Sequence, residues 1–304
     1  MIKQYRNLSP SNSKLKKISI TLSIILVSIS AVALVGIEKH IQIKEEENRI
    51  LAQKQKEEKE LERLEELKKE MIGVNHNAKG YTYDAKIVSK KLDAYDYYNN
   101  GEKIVFLTFD DGSSTTVTPK ILEILKQNDV KATFFITGNT IDGGGEEARN
   151  ILKKTFDQGH AIANHSYSHD YKYLYPKRNL NLENFKNDFA KTDKILKEVL
   201  GDNFSTNVLR CPGGYMSWKG MDELDEYLEK ENLVSIDWNA LNADAEGKKK
   251  TAKELVKYAI DTSKDKEMVV LLMHDTYGKE ETAKALPEII QYYKDNGYKF
   301  KVLV

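Results

Sequence analysis

From residue 103 onward, short apolar runs alternate with stretches in which apolar residues recur every three or four positions. The first run, residues 104–109, is β-branched and aromatic and ends at two aspartates and a glycine, which is typical of a buried strand followed by a turn. The amphipathic stretches have the period of helices that cover one face of a sheet. Repeated strand–helix units therefore predict an α/β fold with a parallel sheet, open or closed into a barrel.

The remaining elements are predicted from the same alternation and from turn and cap signals. Further strands are predicted at 132–137, 161–163, 207–209, 233–236, 268–273 and 299–304. Helices are predicted from Thr118-Pro119 onward, at 146–158, 182–200, 221–231 and 282–294, and after a capping box formed by Thr251 and Glu254.

The N-terminal part of the chain has a different pattern. Residues 18–37 carry no charge, and about 20 apolar residues suffice for a helix that crosses a bilayer. The preceding residues include Lys3, Arg6, Lys14, Lys16 and Lys17, so residues 1–17 are expected in the cytoplasm and the body of the chain outside. This interpretation predicts a single-pass protein of the cell membrane. The alternative is a secreted protein whose signal peptide is cleaved near Ala31-Val32-Ala33.

Residues 38–72 are rich in Glu, Lys and Gln and contain no Pro or Gly, which predicts a helical stalk. Leu61, Leu64, Leu67 and Met71 share one helical face, so the stalk is either a solvated spacer or a short coiled coil that joins two chains in a homodimer. Glycines and asparagines after residue 72 end the helix, and residues 73–102 are expected to form a linker.

Composition excludes some classes of function. The chain has 304 residues with 47 basic and 47 acidic side chains, and this balance gives no reason to expect a nucleic acid partner. Cys211 is its one cysteine, so no internal disulfide framework can form. We expect Cys211 to be a small buried side chain.

The candidate chemistry lies where the predicted strands end. Asp110 and Asp111 follow the first strand, and their side chains should point to opposite faces if the backbone stays extended. His165 and His169 follow the third strand, and their side chains would lie on one side if this segment is a helical turn. Two histidines and one carboxylate can hold a divalent ion, and zinc is the expected ion. In a barrel, all these strand ends open on one mouth.

Further polar residues complete a set suited to metal-assisted hydrolysis of an amide or ester. The carboxylate that does not bind the ion could act as a base, and Arg210 could keep it ionised. His274 follows a strand of apolar residues and could donate a proton to the leaving group. It would need a carboxylate partner, either Asp244 or Asp275, to stay protonated near neutral pH.

Residues 103–304 resemble the polysaccharide deacetylase family, carbohydrate esterase family 4. The resemblance rests on Thr108-Phe109-Asp110-Asp111-Gly112, His165-Ser166-Tyr167-Ser168-His169, Arg210-Cys211-Pro212 and Leu271-Leu272-Met273-His274-Asp275. It implies a distorted (β/α) barrel that removes acetyl groups from N-acetylated sugars. It also implies one divalent ion, zinc or alternatively cobalt, nickel or manganese, bound by Asp111, His165 and His169.

The resemblance also implies roles for the other residues. Asp110 would be the base, tethered by Arg210, and His274 the acid, tethered by Asp244. The acetyl methyl group would lie in an apolar groove formed by Trp238 and Leu272. The oxyanion and substrate groove would further involve Gly213 and Tyr215.

Four positions depart from the commonest pattern of the family. Ser113 stands where proline is usual, and Gly213 stands where an aromatic residue often lies, with Tyr215 two residues later. Gly213 still carries a backbone N–H, but the side-chain wall against the sugar is altered. Leu241 and Ala245 replace more typical polar and aromatic residues, so the substrate preference is expected to be altered too.

The sequence thus predicts a membrane-anchored deacetylase of a cell-wall glycan, with N-acetylglucosamine of peptidoglycan as the first candidate substrate. Another exported polysaccharide or chitin oligomers form the second candidate. A non-catalytic wall-binding module that uses the same barrel is the alternative from a different class.

Overall fold

The computed structural model describes residues 34, 36–59, 61 and 72–304. Residues 36–59 form an exposed helix, α1, which covers the first part of the predicted stalk. Within these ranges, no helix is long and apolar enough to cross a membrane. Most of the predicted anchor at 18–37 lies outside the described residues, as do Leu64, Leu67 and Met71. The anchor, its orientation and the stalk homodimer therefore stay predictions.

The chain divides into two compact units, residues 1–65 and 66–304. The strands of the second unit are β1 (Thr82–Tyr83), β2 (Ile104–Gly112), β3 (Thr133–Ile136), β4 (Ala161–Asn164), β5 (Val208–Leu209), β6 (Val234–Ser235), β7 (Ala240–Leu241), β8 (Met268–His274), β9 (Lys299–Phe300) and β10 (Val302–Leu303). Its helices are α2 (Ala85–Asp93), α3 (Thr118–Gln127), α4 (Gly138–Asp157), α5 (Tyr171–Leu174), α6 (Leu182–Leu200), α7 (Asp222–Lys230), α8 (Ala252–Ser263) and α9 (Glu280–Asp295). Short 3₁₀ helices lie at His76–Ala78, Pro176–Arg178 and Tyr215–Ser217.

The main sheet is parallel throughout and has the order β6-β5-β4-β3-β2-β8-β7, with β9 also paired to β2. The α/β class and the parallel sheet are confirmed. Among the described residues, no backbone pairing joins β6 to β7, so the sheet is a half-barrel with one open side. The expected closing strand is also divided, because β9 joins the main sheet while β10 pairs with β1.

Alternation along the strands produces two separate cores. Val105, Leu107 and Phe109 of β2 belong to the cluster that packs against α3, α8 and α9. Ile104 and Phe106 belong to a second cluster, which also contains alternate residues of β3, β5, β6 and β8. Because successive side chains of a strand point to opposite faces, the polar residues that continue this second series lie on the inner face of the half-barrel.

Residues 73–102 contain β1 and α2 and are therefore not the open linker that the sequence suggested. Asp84 caps α2 by accepting a hydrogen bond from the backbone N–H of Lys86. Ala85, Val88 and Leu92 of α2 then pack into the inner cluster with the first residues of β2 and β8. The three- and four-residue spacing of these apolar positions is helical, but two turns of helix among many tyrosines and aspartates gave a weak signal.

Other element predictions agree with the structure or differ for local reasons. Helix α6 has the predicted bounds, and the Thr251–Glu254 capping box is present at α8. Helix α4 begins at Gly138, eight residues before its predicted start at 146, and is interrupted at Gly145, where φ is 60°. Glycine tolerates this backbone conformation readily, so the chain has a kink at Gly145 between the two helical parts.

Candidate active site

The two aspartates at the end of β2 approach the same histidine. The pairing of β2 with β3 shifts between Asp110 and Gly112, and Asp111 has a φ of 69°. The two side chains were expected to point to opposite faces only if the backbone stays extended, and this irregularity means that it does not. Asp110 Oδ2 lies 3.6 Å from His165 Nε2, and Asp111 Oδ1 lies 3.7 Å from the same nitrogen.

The two histidines lie in a loop and not in a helical turn. Ser166 and His169 have φ values of 68° and 51°, and the two imidazole rings nevertheless lie close, with centroids 5.0 Å apart. The loop is fixed from below by Asp188 of α6, whose Oδ2 accepts hydrogen bonds of 2.9 Å from the backbone N–H groups of Tyr167 and Ser168. No signal in the sequence indicated this positioning role of Asp188, because a lone acid on an amphipathic helix resembles any solvated residue.

Asp111, His165 and His169 form a donor set that fits a divalent ion. One ligand atom from each residue lies within 4.8 Å of the others, and His169 Nε2 lies 3.6 Å from Asp111 Oδ1. Two ligands of a tetrahedral ion, each about 2.1 Å from it, are about 3.4 Å apart. Asp111 Oδ1 is buried and has no hydrogen-bond partner among the described residues. A buried oxygen left without a partner is costly, and an ion at this position would satisfy it.

The electrostatic state of His165 also suits a ligand. Burial lowers the pKa of His165 to about 3, with the neighbouring His169 contributing in the same direction, so the imidazole is neutral. Its Nδ1 lies 2.8 Å from the carbonyl oxygen of Arg210 and donates to it, which leaves the lone pair on Nε2 facing the carboxylates. A backbone carbonyl that fixes the tautomer in this way is a common support for metal-binding histidines.

Arg210 is fully buried and holds the inner carboxylate. Its Nη1 donates to Asp110 Oδ1 at 2.7 Å and to Thr108 Oγ1 at 3.0 Å, while its Nε donates to the carbonyl of Ile236 at 2.8 Å. Burial raises the pKa of the Asp110 carboxyl, and the Arg210 charge opposes that rise. A buried guanidinium with this many partners fixes both the position and the orientation of the carboxylate.

The partner of His274 is Asp244, which settles an alternative that the residues alone left open. His274 Nδ1 donates to Asp244 Oδ1 at 2.7 Å, and Thr282 Oγ1 donates to Asp244 Oδ2 at 2.6 Å. Burial lowers the pKa of His274, but the hydrogen bond and charge of Asp244 outweigh it and raise the pKa to about 9. Asp275 instead accepts a hydrogen bond from Thr118 and packs against Gly112, where a Cβ atom would overlap its carboxylate.

The predicted groove residues are only partly brought together. Leu272 follows the inner-facing Val270 by two positions, so it lies on the same face as His274. The backbone N–H of Tyr215 donates to Asp237 and its hydroxyl to Asp225, so both donors are engaged. The N–H of Gly213 has no hydrogen-bond partner among the described residues, which makes Gly213 the available oxyanion donor of the two.

Two aromatic rings fill the space beside Gly213. A Cβ atom at this residue would lie 3.0 Å from Trp218 and 3.3 Å from Tyr171. The ring of Tyr171 lies 5.2 Å from that of His169 and 5.1 Å from that of Trp218. The wall that the sequence seemed to lack is thus supplied by side chains from the start of α5 and from the end of the 3₁₀ helix at 215–217, which no local spacing could indicate.

Two further buried residues have structural roles, and for Cys211 this confirms the expectation of a small buried side chain. His160 is buried and accepts a hydrogen bond from the backbone N–H of Ala132, and burial lowers its pKa to about 3. Cys211 is buried, and burial raises the pKa of its thiol to about 12. A thiol held in its neutral form is a packing group.

Comparisons with known proteins agree with this geometry. Residues 97–227 match the family described as Polysaccharide deacetylase. This range includes the seven site residues from Asp110 to Tyr215 and ends before Trp238, Asp244, Leu272 and His274. A peptidoglycan-N-acetylglucosamine deacetylase of Bacillus cereus is 32% identical over 208 residues, which are 68% of this chain and 68% of the relative. A peptidoglycan-N-acetylmuramic acid deacetylase of Bacillus subtilis is 27% identical over 241 residues, 75% of this chain and 80% of the relative.

The solved structures give the same result at the level of the fold. A CE4 esterase from Streptococcus mutans superposes with a TM-score of 0.69 and 39% identity, over 76% of this chain and 96% of that one. This chain therefore matches the B. cereus relative across two thirds of its length. It also has the half-barrel, the paired carboxylates and the two-histidine loop. This chain belongs to the polysaccharide deacetylase family, carbohydrate esterase family 4.

Proposed function

We propose that this protein is a metal-dependent hydrolase that removes N-acetyl groups from a cell-wall polysaccharide, with N-acetylglucosamine of peptidoglycan as its substrate. One observation carries the proposal: the Asp111–His165–His169 donor set lies beside a carboxylate tethered by a buried arginine. The names of the B. cereus and B. subtilis relatives support peptidoglycan as the polymer. Another exported polysaccharide or chitin oligomers are the second candidate.

The base in this reaction is Asp110. Its Oδ1 is bound to Arg210, and its Oδ2 is directed to the space beside His165, where an attacking water would be deprotonated. Because Arg210 is itself held by Thr108 and the carbonyl of Ile236, the carboxylate is oriented before substrate arrives. Such preorganisation is where enzymes gain much of their rate.

Asp111, His165 and His169 would hold one divalent ion, for which we propose zinc, with cobalt, nickel or manganese as alternatives. When bound, this ion supplies Lewis acidity, which polarises the acetyl carbonyl and makes the attacking water more acidic. The free amide of Gly213 is the proposed donor to the carbonyl oxygen as it gains negative charge.

The acid is His274, which would protonate the sugar nitrogen as the bond between carbon and nitrogen breaks. Water thus adds its oxygen to the acetyl carbon, the products are acetate and the free amine, and the proton taken by Asp110 is matched by the proton given by His274. Leu272 lies on the same inner face as this acid, and with Trp238 it is proposed to contact the acetyl methyl group.

The proposed location is outside the cell, because a wall glycan lies there. Residues 18–37 would hold the protein in the cell membrane, or the protein would be secreted if that segment is cleaved. The helical stretch 36–59 would then form part of the spacer between the membrane and the catalytic domain.

The test is release of acetate by the purified full-length chain from N-acetylated peptidoglycan and from N-acetylated chitin oligomers. Release is expected from peptidoglycan, with loss of activity on chelation and recovery on adding zinc, cobalt, nickel or manganese in separate samples. The ion that restores activity at the lowest concentration identifies the preferred metal. Binding of glycan without any release of acetate would favour the non-catalytic alternative.

The Asp244–His274 pair predicts how activity depends on pH. The pKa of His274 is raised above its ordinary value of 6.5 to about 9, so the protonated acid is present at lower pH and is lost as the pH rises through about 9. In Asp244→Asn the charge and much of the hydrogen bond are lost, and burial then lowers the pKa. We expect the alkaline limb of kcat/KM to move at least about 2 pH units downward.

The control for this prediction is Asp261→Asn, which removes a carboxylate paired with Lys264 at the surface of α8. It should leave the alkaline limb in place. A profile of Asp244→Asn that keeps the wild-type limb would show that His274 is not the group that titrates.

A further inference from the structure

Tyr171 carries a hydroxyl group beside the proposed oxyanion donor. It is the first residue of α5, two positions after His169, and it is 44% exposed. Its hydroxyl has no hydrogen-bond partner among the described residues. A phenol can donate one hydrogen bond, so this group is able to bond to a ligand that enters the site.

The hydroxyl lies close to the backbone amide of Gly213. A Cβ atom at Gly213 would be 3.3 Å from the hydroxyl oxygen of Tyr171. Because a Cβ atom is about 2.5 Å from the amide nitrogen of its own residue, the hydroxyl oxygen is within about 6 Å of Gly213 N. Two donors that share one acceptor, each about 2.9 Å from it, can be up to about 5.8 Å apart. One oxygen atom can therefore accept hydrogen bonds from both groups.

The ring of Tyr171 also borders the proposed ion site. Its centre lies 5.2 Å from that of the His169 ring. Burial, followed by the charges of Asp111 and Asp110, raises the pKa of Tyr171. Tyr171 is thus adjacent both to a ligand of the proposed ion and to the Gly213 amide, and these are the two groups that act on the acetyl oxygen.

The side chain of Tyr171 is held in place by packing. Its ring lies 5.1 Å from that of Trp218, which stacks on Tyr175 at 4.1 Å and donates from Nε1 to the carbonyl oxygen of Pro212 at 2.9 Å. The absence of a side chain at Gly213 leaves room for the ring of Tyr171. A donor that is already in position stabilises developing charge without reorganisation during the reaction.

We infer that the hydroxyl of Tyr171 is a second oxyanion donor, which binds the acetyl oxygen together with the Gly213 amide as that oxygen gains negative charge. The hydroxyl keeps its proton and donates only a hydrogen bond. Because the oxygen is charged in the transition state and not in the substrate, this bond stabilises the transition state more than the bound glycan. The inference rests on the proposed function for the identity of the reaction.

The test is Tyr171→Phe in the full-length, metal-loaded protein, which removes the hydroxyl and keeps the ring. We expect kcat on soluble N-acetylated peptidoglycan fragments to fall about 10- to 100-fold, while KM stays within about twofold. Metal content and the rise in melting temperature on adding zinc should match the wild type, because the three ion donors remain. Tyr173→Phe is the matched control, since it removes a hydroxyl from the same helix but its ring packs against the cluster that contains Phe185.

A transition-state analogue separates this inference from the proposed function. The probe is a peptidoglycan fragment in which a methylphosphonamidate group replaces the acetamide, so that a tetrahedral centre carries a negatively charged oxygen. Calorimetry should show that Tyr171→Phe binds this probe about 10- to 100-fold more weakly than the wild type. If the wild type binds the probe but releases no acetate from any glycan, the proposed function fails and the ratio of the two affinities still tests the donor.

Two results would overturn the inference. Equal affinities of the wild type and Tyr171→Phe for the probe would show that the hydroxyl does not bond to the charged oxygen. A loss of affinity for the probe that is matched by an equal rise in KM would show that the hydroxyl binds the sugar in the ground state and the transition state alike.

Discussion

Asp110→Asn is expected to lower kcat by about 10³-fold or more, because removal of a positioned general base costs about 10²–10⁴-fold and this base also orients the attacking water. The amide has the size of the carboxylate but cannot accept the proton. KM should change little, since substrate binding uses other groups. The measurement is the initial rate of acetate release at saturating glycan, with bound metal determined on the same sample.

A measurement of stability and a control variant are needed to interpret this result. Arg210 would lose its charged partner while remaining buried, which costs about 3–5 kcal/mol of folding free energy. The melting temperature must therefore be measured alongside the rate. Asp275→Asn is the matched control, because Asp275 is equally buried but contacts Thr118 and Gly112 instead of the Arg210 guanidinium. Retention of most of the wild-type kcat by a folded, metal-loaded Asp110→Asn would remove Asp110 from the mechanism.

The strands that carry the site could be predicted because several successive residues in each give the same apolar signal. Each apolar residue of β2 is in either the inner or the outer core, so the apolar run from Ile104 to Leu107 has no polar alternation. Helix α6 was predicted with its observed bounds from its amphipathic pattern and Gly201, and in the structure Asn181 caps its start. Parallel strands have their carboxyl ends at the same edge of the sheet. The polar residues after each strand could therefore be predicted to lie close together.

The details of the site depend on information that periodicity does not contain. Asp111, Ser166 and His169 all have positive φ, and this backbone conformation brings the ligand atoms together although no repeat in the sequence indicates it. The choice between Asp244 and Asp275 as partner of His274 depends on which side chain a neighbouring helix holds, here through Thr282. These are contacts between residues distant in sequence, so only the folded chain determines them.

The open side of the half-barrel also depends on contacts between residues distant in sequence, so it could not be predicted. Residues 233–236 showed the apolar pattern of a strand, but a strand pattern does not reveal whether a neighbour will pair with its far edge. In the structure the chain leaves β6, and Asn239 bonds to the backbone of β8 through its N–H and its side chain. The unpaired edge of β6 therefore lies beside α2. This helix belongs to residues 73–102, which the sequence suggested were a linker.

His165→Ala is expected to abolish binding of the ion and to lower kcat/KM by at least about 10³-fold, since Lewis-acid catalysis contributes several kcal/mol. Only Asp111 and His169 would remain as ligands, and the buried Asp111 Oδ1 would keep neither ion nor hydrogen-bond donor. The measurement is metal content per chain after dialysis, together with the rise in melting temperature on adding zinc, which reports binding to the folded state without using activity.

His160→Ala is the matched control for this last prediction. His160 and His165 are both almost fully buried, and burial lowers the pKa of each to about 3, so the two substitutions remove the same kind of neutral imidazole. His160 bonds to the backbone of Ala132 and is not one of the three donors. Both variants should lose stability in the absence of metal, but only His160→Ala should regain it with zinc. If His165→Ala keeps one ion per chain and the same thermal shift, the ion lies elsewhere and the assignment of Asp111, His165 and His169 as its ligands is wrong.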